Sequence, residues 1–131
     1  MKRPLVLVVD DVRDNREMYM EYLSFAGFRT IGAADSENAI ELARKQHPAV
    51  ILMDLALPGI GGWEATRILK SDPATRTILV IAVSGHAEEP FRQRAHEVGC
   101  DFFVAKPVLP SELAAHVIRL LDGRTARGQS G

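Results

Sequence analysis

Ala49-Val50-Ile51-Leu52-Met53-Asp54-Leu55-Ala56-Leu57-Pro58-Gly59 decides the reading of this chain. Five apolar residues run without interruption into an aspartate, and a Pro-Gly turn signal follows shortly after. Asp54 therefore sits where a buried strand meets solvent. Two further runs end in the same manner: Leu5-Val6-Leu7-Val8-Val9 before Asp10-Asp11, and Ile78-Leu79-Val80-Ile81-Ala82-Val83 before Ser84-Gly85. Polar chemistry is thus stacked along one edge of a sheet.

Working outward, short β-branched runs alternate five times with longer segments of helical period, the pattern of right-handed β-α-β units around a parallel sheet. The pattern predicts strands over Leu5 to Val9, Phe28 to Gly32, the run ending at Met53, Ile78 to Val83, and Phe102 to Ala105. It predicts helices over Asp14 to Ala26, from Asp35 or Ser36 to just before Pro48, Gly62 to Lys70, Ala87 to Val98, and Pro110 to Leu121. Asp14 with Glu17 resembles a capping box, Gly27 and Gly99 act as stops, and Pro110 suits a first helical turn. Strands apolar on both faces need helices on both faces, which gives a three-layer doubly wound sandwich. Residues 1–122 form one domain, and the tail 123–131, without an apolar anchor, is expected to be disordered.

A chain of 131 residues with 47% hydrophobic content can bury a one-domain core. Sixteen basic against seventeen acidic residues leave a formal charge of -1, so electrostatics give no ground for a nucleic-acid or anionic-membrane partner. No stretch approaches the roughly 20 apolar residues that cross a bilayer. The apolar run after Pro4 reaches acid at Asp10 and reads as a strand rather than a signal peptide. A soluble, cytoplasmic protein is expected. Cys100 is alone, which excludes an intramolecular disulfide. With His96 it offers two ligands where a metal site needs three or four, so it reads as a small buried residue.

Of the common orders for five such units, 2-1-3-4-5 sets strands 1 and 3 side by side at the topological switch point, where ligands bind beyond the strand carboxyl ends. Those ends carry Asp10, Asp11 and Asp54. Two unit charges about 4 Å apart repel by roughly 4 kcal/mol at an effective dielectric of about 20, so three together call for a counter-charge. A hard divalent cation, Mg²⁺ or Mn²⁺, is the natural candidate. Lys106, at the end of strand 5, supplies a second positive charge, and Ser84, at the end of strand 4, a hydroxyl. A carboxylate, a metal, an ammonium and a hydroxyl around one cavity suit phosphoryl transfer, with Asp54 as nucleophile.

Asp10-Asp11, Met53-Asp54-Leu55 with Pro58-Gly59, Ser84-Gly85 and Lys106-Pro107 fall in order at matching strand ends. In this the chain resembles a response-regulator receiver domain of two-component signalling, over residues 4–122. The run Met53 to Glu64 looks most like stand-alone receivers and the receivers of hybrid sensor kinases. The resemblance implies a flavodoxin-like fold in which Asp54 takes a phosphoryl group from a histidine kinase or a histidine phosphotransfer protein. It implies that Asp11, Asp54 and the backbone carbonyl of Ala56 hold Mg²⁺, with Asp10 acting partly through water. It further implies that Lys106 pairs with phosphoryl oxygens and that Lys106-Pro107 is a cis peptide. Ser84 and Phe103 would move together as a two-state switch that changes contacts with a downstream protein. On this reading the chain is a signalling phosphoacceptor and not an enzyme, its chemistry limited to self-catalysed phosphotransfer and slow autodephosphorylation.

The chain departs from the family pattern at two positions. Phe103 stands where Tyr is frequent, so the inward state leaves no hydroxyl in need of a partner and a switch biased inward is expected. Ala56 brings no polar side chain to position an attacking water, which leaves the lifetime of the phosphorylated form open. His86 is a candidate to fill that gap, and a solvated loop histidine is its plain alternative. Each acid could instead be a helix cap or loop residue, Ser84 a cap, and Lys106 a surface lysine. In helix 1, Met18, Tyr22 and Ala26 suffice for an inner face, leaving Tyr19, Met20, Leu23 and Phe25 as surplus apolar area. That surplus is either a docking surface for kinase or phosphotransfer helices or part of a crowded core. Trp63 is expected to pack near the site.

Two other classes of function compete: a receiver-like interaction module, and a different doubly wound protein that is either a flavin binder or a hydrolase. A receiver-like interaction module working without phosphorylation is compatible with Ala56 but leaves the full acidic, Ser and Lys set unused. A flavin binder would want a hydroxyl- and glycine-rich loop after strand 1, where Val12-Arg13-Asp14-Asn15 stands. A hydrolase with an aspartyl nucleophile would want a second acid where Ala56 stands.

Overall fold

Strands and helices alternate from end to end: β1 (Leu5–Val9), α1 (Arg13–Phe25), β2 (Arg29–Ala33), α2 (Ser36–Gln46), β3 (Val50–Asp54), α3 (Gly61–Ser71), β4 (Leu79–Ser84), α4 (Glu89–Glu97), β5 (Phe102–Ala105) and α5 (Pro110–Ser130). This computed structural model describes residues 3–57 and 61–130, the last seven of them in backbone only. The Pro58-Gly59 turn signal lies outside the described residues. The five strands are parallel and ordered β2-β1-β3-β4-β5, the doubly wound order expected from the alternation.

The unbroken apolar runs are explained by two cores, one on each face. Leu7, Val9, Ile51, Met53, Val80 and Ala82 pack under α2, α3 and α4. Their neighbours Val6, Val8, Val50, Leu52, Ile81 and Val83 pack under α1 and α5. Successive strand residues point to opposite faces, so a strand covered on both sides has no position left for a polar residue before its end. Each such side chain contributes about 1.5–3 kcal/mol on burial. Polarity is thereby pushed to the carboxyl ends, where the site lies.

Helix α1 differs from the sequence expectation in two respects. It starts at Arg13 behind an extended Val12 that makes no side-chain cap, so the Asp14–Glu17 capping box does not form. Glu17 instead accepts from Arg13 Nε at 2.8 Å. The inner face is made by Tyr19 and Leu23, both buried, while Met18, Tyr22 and Phe25 are exposed, Phe25 at 87%. Arg16 sets this phase: its guanidinium donates to the Asp10 carbonyl at 2.8 Å. Arg16, Tyr19, Met20 and Leu23, at helical spacing, therefore turn to the sheet.

At α2, Asp35 is the cap, accepting from the Asn38 N–H at 2.8 Å. Ser36 is buried and donates to the Gly61 carbonyl at 3.0 Å, tying α2 to the start of α3. Helix α5 continues to Ser130, past Leu121. A glycine such as Gly123 costs a helix only about 1 kcal/mol, which helix formers near it such as Leu121, Arg124 and Ala126 can offset.

Candidate functional site

Parallel pairing of β1 with β3 brings Val9 opposite Met53, and the residues that follow them open together at the sheet edge. One carboxylate oxygen from each of Asp10, Asp11 and Asp54 lies within 4.8 Å of the other two, the one such group of metal-ligating side chains among the described residues. Asp10 and Asp54 are 3% and 6% exposed, whereas Asp11 is open to solvent. Hard oxygen donors on a half-open rim fit a divalent cation that keeps part of its water.

Local backbone aims the two buried acids. The Val12 N–H donates to Asp10 Oδ1 and the Ala56 N–H to Asp54 Oδ1, each at 2.9 Å. One oxygen of each carboxylate is thereby fixed two residues along its own loop, as Asp commonly does at a turn. The second oxygens face Lys106, whose Nζ lies 3.4 Å from Asp54 Oδ2 and 3.7 Å from Asp10 Oδ2. Burial alone would lower the Lys106 pKa, but the carboxylates of Asp54 and Asp10 outweigh it and hold the ammonium above its ordinary value. Burial raises the Asp10 pKa against the opposing Val12 hydrogen bond and the pull of Lys106.

Ser84 is buried at the end of β4, and its Oγ accepts the His86 N–H at 3.0 Å. Its carbonyl accepts the Lys106 N–H at 2.8 Å, fixing the β4 and β5 ends together. The Lys106–Pro107 peptide is cis. The His86 side chain is largely exposed, with its ring stacked on Phe91 at 4.9 Å. Trp63 is half-buried against the α2–α4 face core, with Phe91 at 6.4 Å and the Arg94 guanidinium over its ring at 4.6 Å. Phe103 is half-buried, packed against the same core. Cys100 is buried, and desolvation pushes its thiol up to about 11, an inert form. His96 beside it is exposed, and neither belongs to a metal-ligating cluster among the described residues.

Two site residues are not foreseen from the sequence. Tyr19 lines a small cavity together with Asp10 and Asp54, on the helix face that the Arg16 contact to the Asp10 carbonyl turns inward. Gly62 is the second: a Cβ there would stand 2.4 Å from the Asp54 carbonyl oxygen and 2.8 Å from the Leu55 Cα. Helix α3 thus begins with its backbone pressed on the Asp54 peptide, a contact that leaves no trace in hydrophobic pattern.

The raised Asp10 pKa makes a prediction for stability. Between the ordinary and the raised value the folded chain holds a proton that the unfolded chain has released, so stability falls as pH rises through that window. Ionised Asp10 therefore costs stability at neutral pH. Asp10→Asn keeps the acceptor for Val12 and removes the charge. It is expected to stabilise the metal-free protein in urea melts at pH 7, because it removes the desolvation cost of a buried charge. The gain should shrink as pH is lowered and native Asp10 becomes protonated.

A doubly wound domain with three acids, a lysine and a serine gathered at the carboxyl ends of its strands is a receiver-type domain. The chain belongs to the response regulator receiver domain family, whose sequence profile matches residues 6–118. It is 36% identical over 103 residues to the polar-differentiation response regulator DivK of Brucella ovis, covering 79% of this chain and 84% of that protein. Among solved structures, the receiver domain of a signal transduction histidine kinase from Syntrophus aciditrophicus is 31% identical, with a TM-score of 0.84 over 92% of this chain and 91% of that one. The chemotaxis protein CheY4 of Vibrio cholerae is 26% identical, with a TM-score of 0.85 over 89% of this chain and 98% of that one.

Proposed function

We propose that this chain is a phosphoacceptor signalling protein whose Asp54 takes a phosphoryl group from a histidine kinase or a histidine phosphotransfer protein, and whose protein-binding surface changes in response. The observation that carries the reading is the Asp54 carboxylate, held by the Ala56 N–H on one oxygen and by the Lys106 ammonium on the other, beside two further acids. In the transfer, an Asp54 carboxylate oxygen forms the new O–P bond while the donor's N–P bond breaks, and the imidazole leaves with its electron pair. The chain's own part is to position and neutralise, since such a reaction leaves the protein little covalent work. Lys106 meets the phosphoryl oxygens as charge grows on them, and the Ala56 N–H keeps Asp54 in line.

Asp11, Asp54, the Ala56 carbonyl and, partly through water, Asp10 would hold Mg²⁺ or Mn²⁺. When bound, the cation neutralises charge on the acids and the phosphoryl group. Ser84, now engaged with His86, would turn its hydroxyl to the phosphoryl group, and Phe103 would follow. This chemistry is self-catalysed and ends in slow autodephosphorylation, so the chain acts as a signalling phosphoacceptor rather than an enzyme.

The exposed face of α1 supports a helical donor: Met18, Glu21, Tyr22 and Phe25, with Pro110, line a groove of about 370 Å³. That no helix among the described residues is long and apolar enough to cross a membrane agrees with action in the cytoplasm. Intact mass after incubation with Mg²⁺ and a small-molecule phosphodonor tests the proposal. One phosphoryl adduct is expected, lost in Asp54→Asn and under chelation. No adduct on the folded native chain would favour the phosphorylation-independent interaction module.

A further inference from the structure

One guanidinium bridges the two halves of the proposed switch. Arg92, in the first turn of α4, donates from Nε to the Ala87 carbonyl at 2.9 Å, in the loop that leaves Ser84. Its Cζ lies 4.9 Å from the centroid of the Phe103 ring. The same loop is fastened to Ser84 through the His86 N–H. A continuous path therefore runs from the Ser84 hydroxyl through His86 and Ala87 to Arg92, and across to Phe103. Beside it is a cleft of about 200 Å³, lined by Arg92, His96, Cys100 and Phe103 among others.

Phe103 has no hydroxyl through which a hydrogen bond could report the state of Ser84. A cation over the ring face is the attraction that a phenylalanine does offer, worth more as it is desolvated. The fork geometry of arginine lets one side chain hold a carbonyl in its plane and a ring against its face, which an ammonium cannot do equally well. Any shift of Ala87 that follows Ser84 must move or release this guanidinium, and with it the force on Phe103.

We infer that Arg92 is a positioning residue that couples the Ser84–Ala87 loop to Phe103, taking the place of the hydroxyl that Phe103 lacks. The inference rests on the phosphoacceptor reading above. It requires no contact between Arg92 and the phosphoryl group, so loading of Asp54 itself should not depend on it.

The test uses the full chain, isotope-labelled for backbone amides and phenylalanine rings, with Mg²⁺ and beryllofluoride as a non-hydrolysing phosphoryl mimic. The native protein is compared with Arg92→Met and Arg92→Lys. In all three, the Ala56 and Ala87 amide signals are expected to shift on loading. The native Phe103 ring signal should shift with them. In Arg92→Met, the change in the population ratio of the Phe103 ring environments on loading should fall by about fivefold or more, the lower bound of ordinary coupling between sites. Arg92→Lys, retaining charge without the fork, should fall between. An unchanged Phe103 response in Arg92→Met, with loading intact, would overturn the role of Arg92 alone. Absence of any amide shift in the native chain would overturn the phosphoacceptor reading and this inference with it.

Discussion

Replacing Lys106 with Met is expected to slow phosphoryl uptake at Asp54 by about 10²–10³-fold, the usual cost of removing one preorganised donor from a site where negative charge develops. The Lys106 ammonium already stands 3.4 Å from Asp54 Oδ2 and 3.7 Å from Asp10 Oδ2, so it needs no rearrangement to meet incoming oxygens. Methionine keeps the length and apolar character of the partly buried stem while removing the charge. The same change also withdraws the attraction that opposes the rise in the Asp10 pKa. Asp10→Asn in the Lys106→Met background should therefore restore stability without restoring the rate. The initial rate of adduct formation by intact mass, beside urea melts, separates the two effects. A variant that loads at the native rate would contradict the part assigned to the ammonium.

The second large effect is expected at Gly62. The Cβ of alanine would meet backbone on both counts, 2.4 Å from the Asp54 carbonyl oxygen and 2.8 Å from the Leu55 Cα, so no side chain can move aside to admit it. Overpacking of this kind costs about 1–3 kcal/mol or more, outweighing the roughly 1 kcal/mol that alanine gains over glycine in a helix interior. Whatever fold remains must shift the Asp54 peptide, and with it the carboxylate that the Ala56 N–H aims. Gly62→Ala is thus expected to lower both stability and uptake rate. Gly85→Ala, where the added atom meets nothing within 4 Å, should leave stability nearly unchanged. Equal stability of the two variants in urea would show that the α3 start is free to move.

What the sequence made legible follows from how each feature is encoded. The strand ends could be read because buried parallel strands permit no polar residue until they stop, so Asp10, Asp54 and Ser84 each announce one. Lys106 could be read for the same reason at the end of β5. The phase of α1 is not legible in the sequence, because Met18, Tyr22 and Ala26 make as good an apolar stripe as Tyr19 and Leu23. Only a tertiary contact, Arg16 to the Asp10 carbonyl, decides between them. Close backbone approach at Gly62 and the Arg92 bridge to Ala87 and Phe103 depend on how loops place whole helices, which local periodicity does not encode. The early start of α1 has a similar origin: Asp10 takes the Val12 N–H and closes the turn that a capping box would have shaped.

The central claim is that the phosphoryl group is carried by the carboxylate of Asp54. Borohydride reduction of the loaded protein tests it most directly, because an aspartyl phosphate is an acyl phosphate and is reduced to homoserine, whereas free carboxylates are untouched. Peptide mass spectrometry after loading with Mg²⁺ and a small-molecule phosphodonor should find homoserine at position 54 and nowhere else. Homoserine at Asp10 or Asp11 instead, or an adduct that borohydride leaves unreduced, would contradict the account.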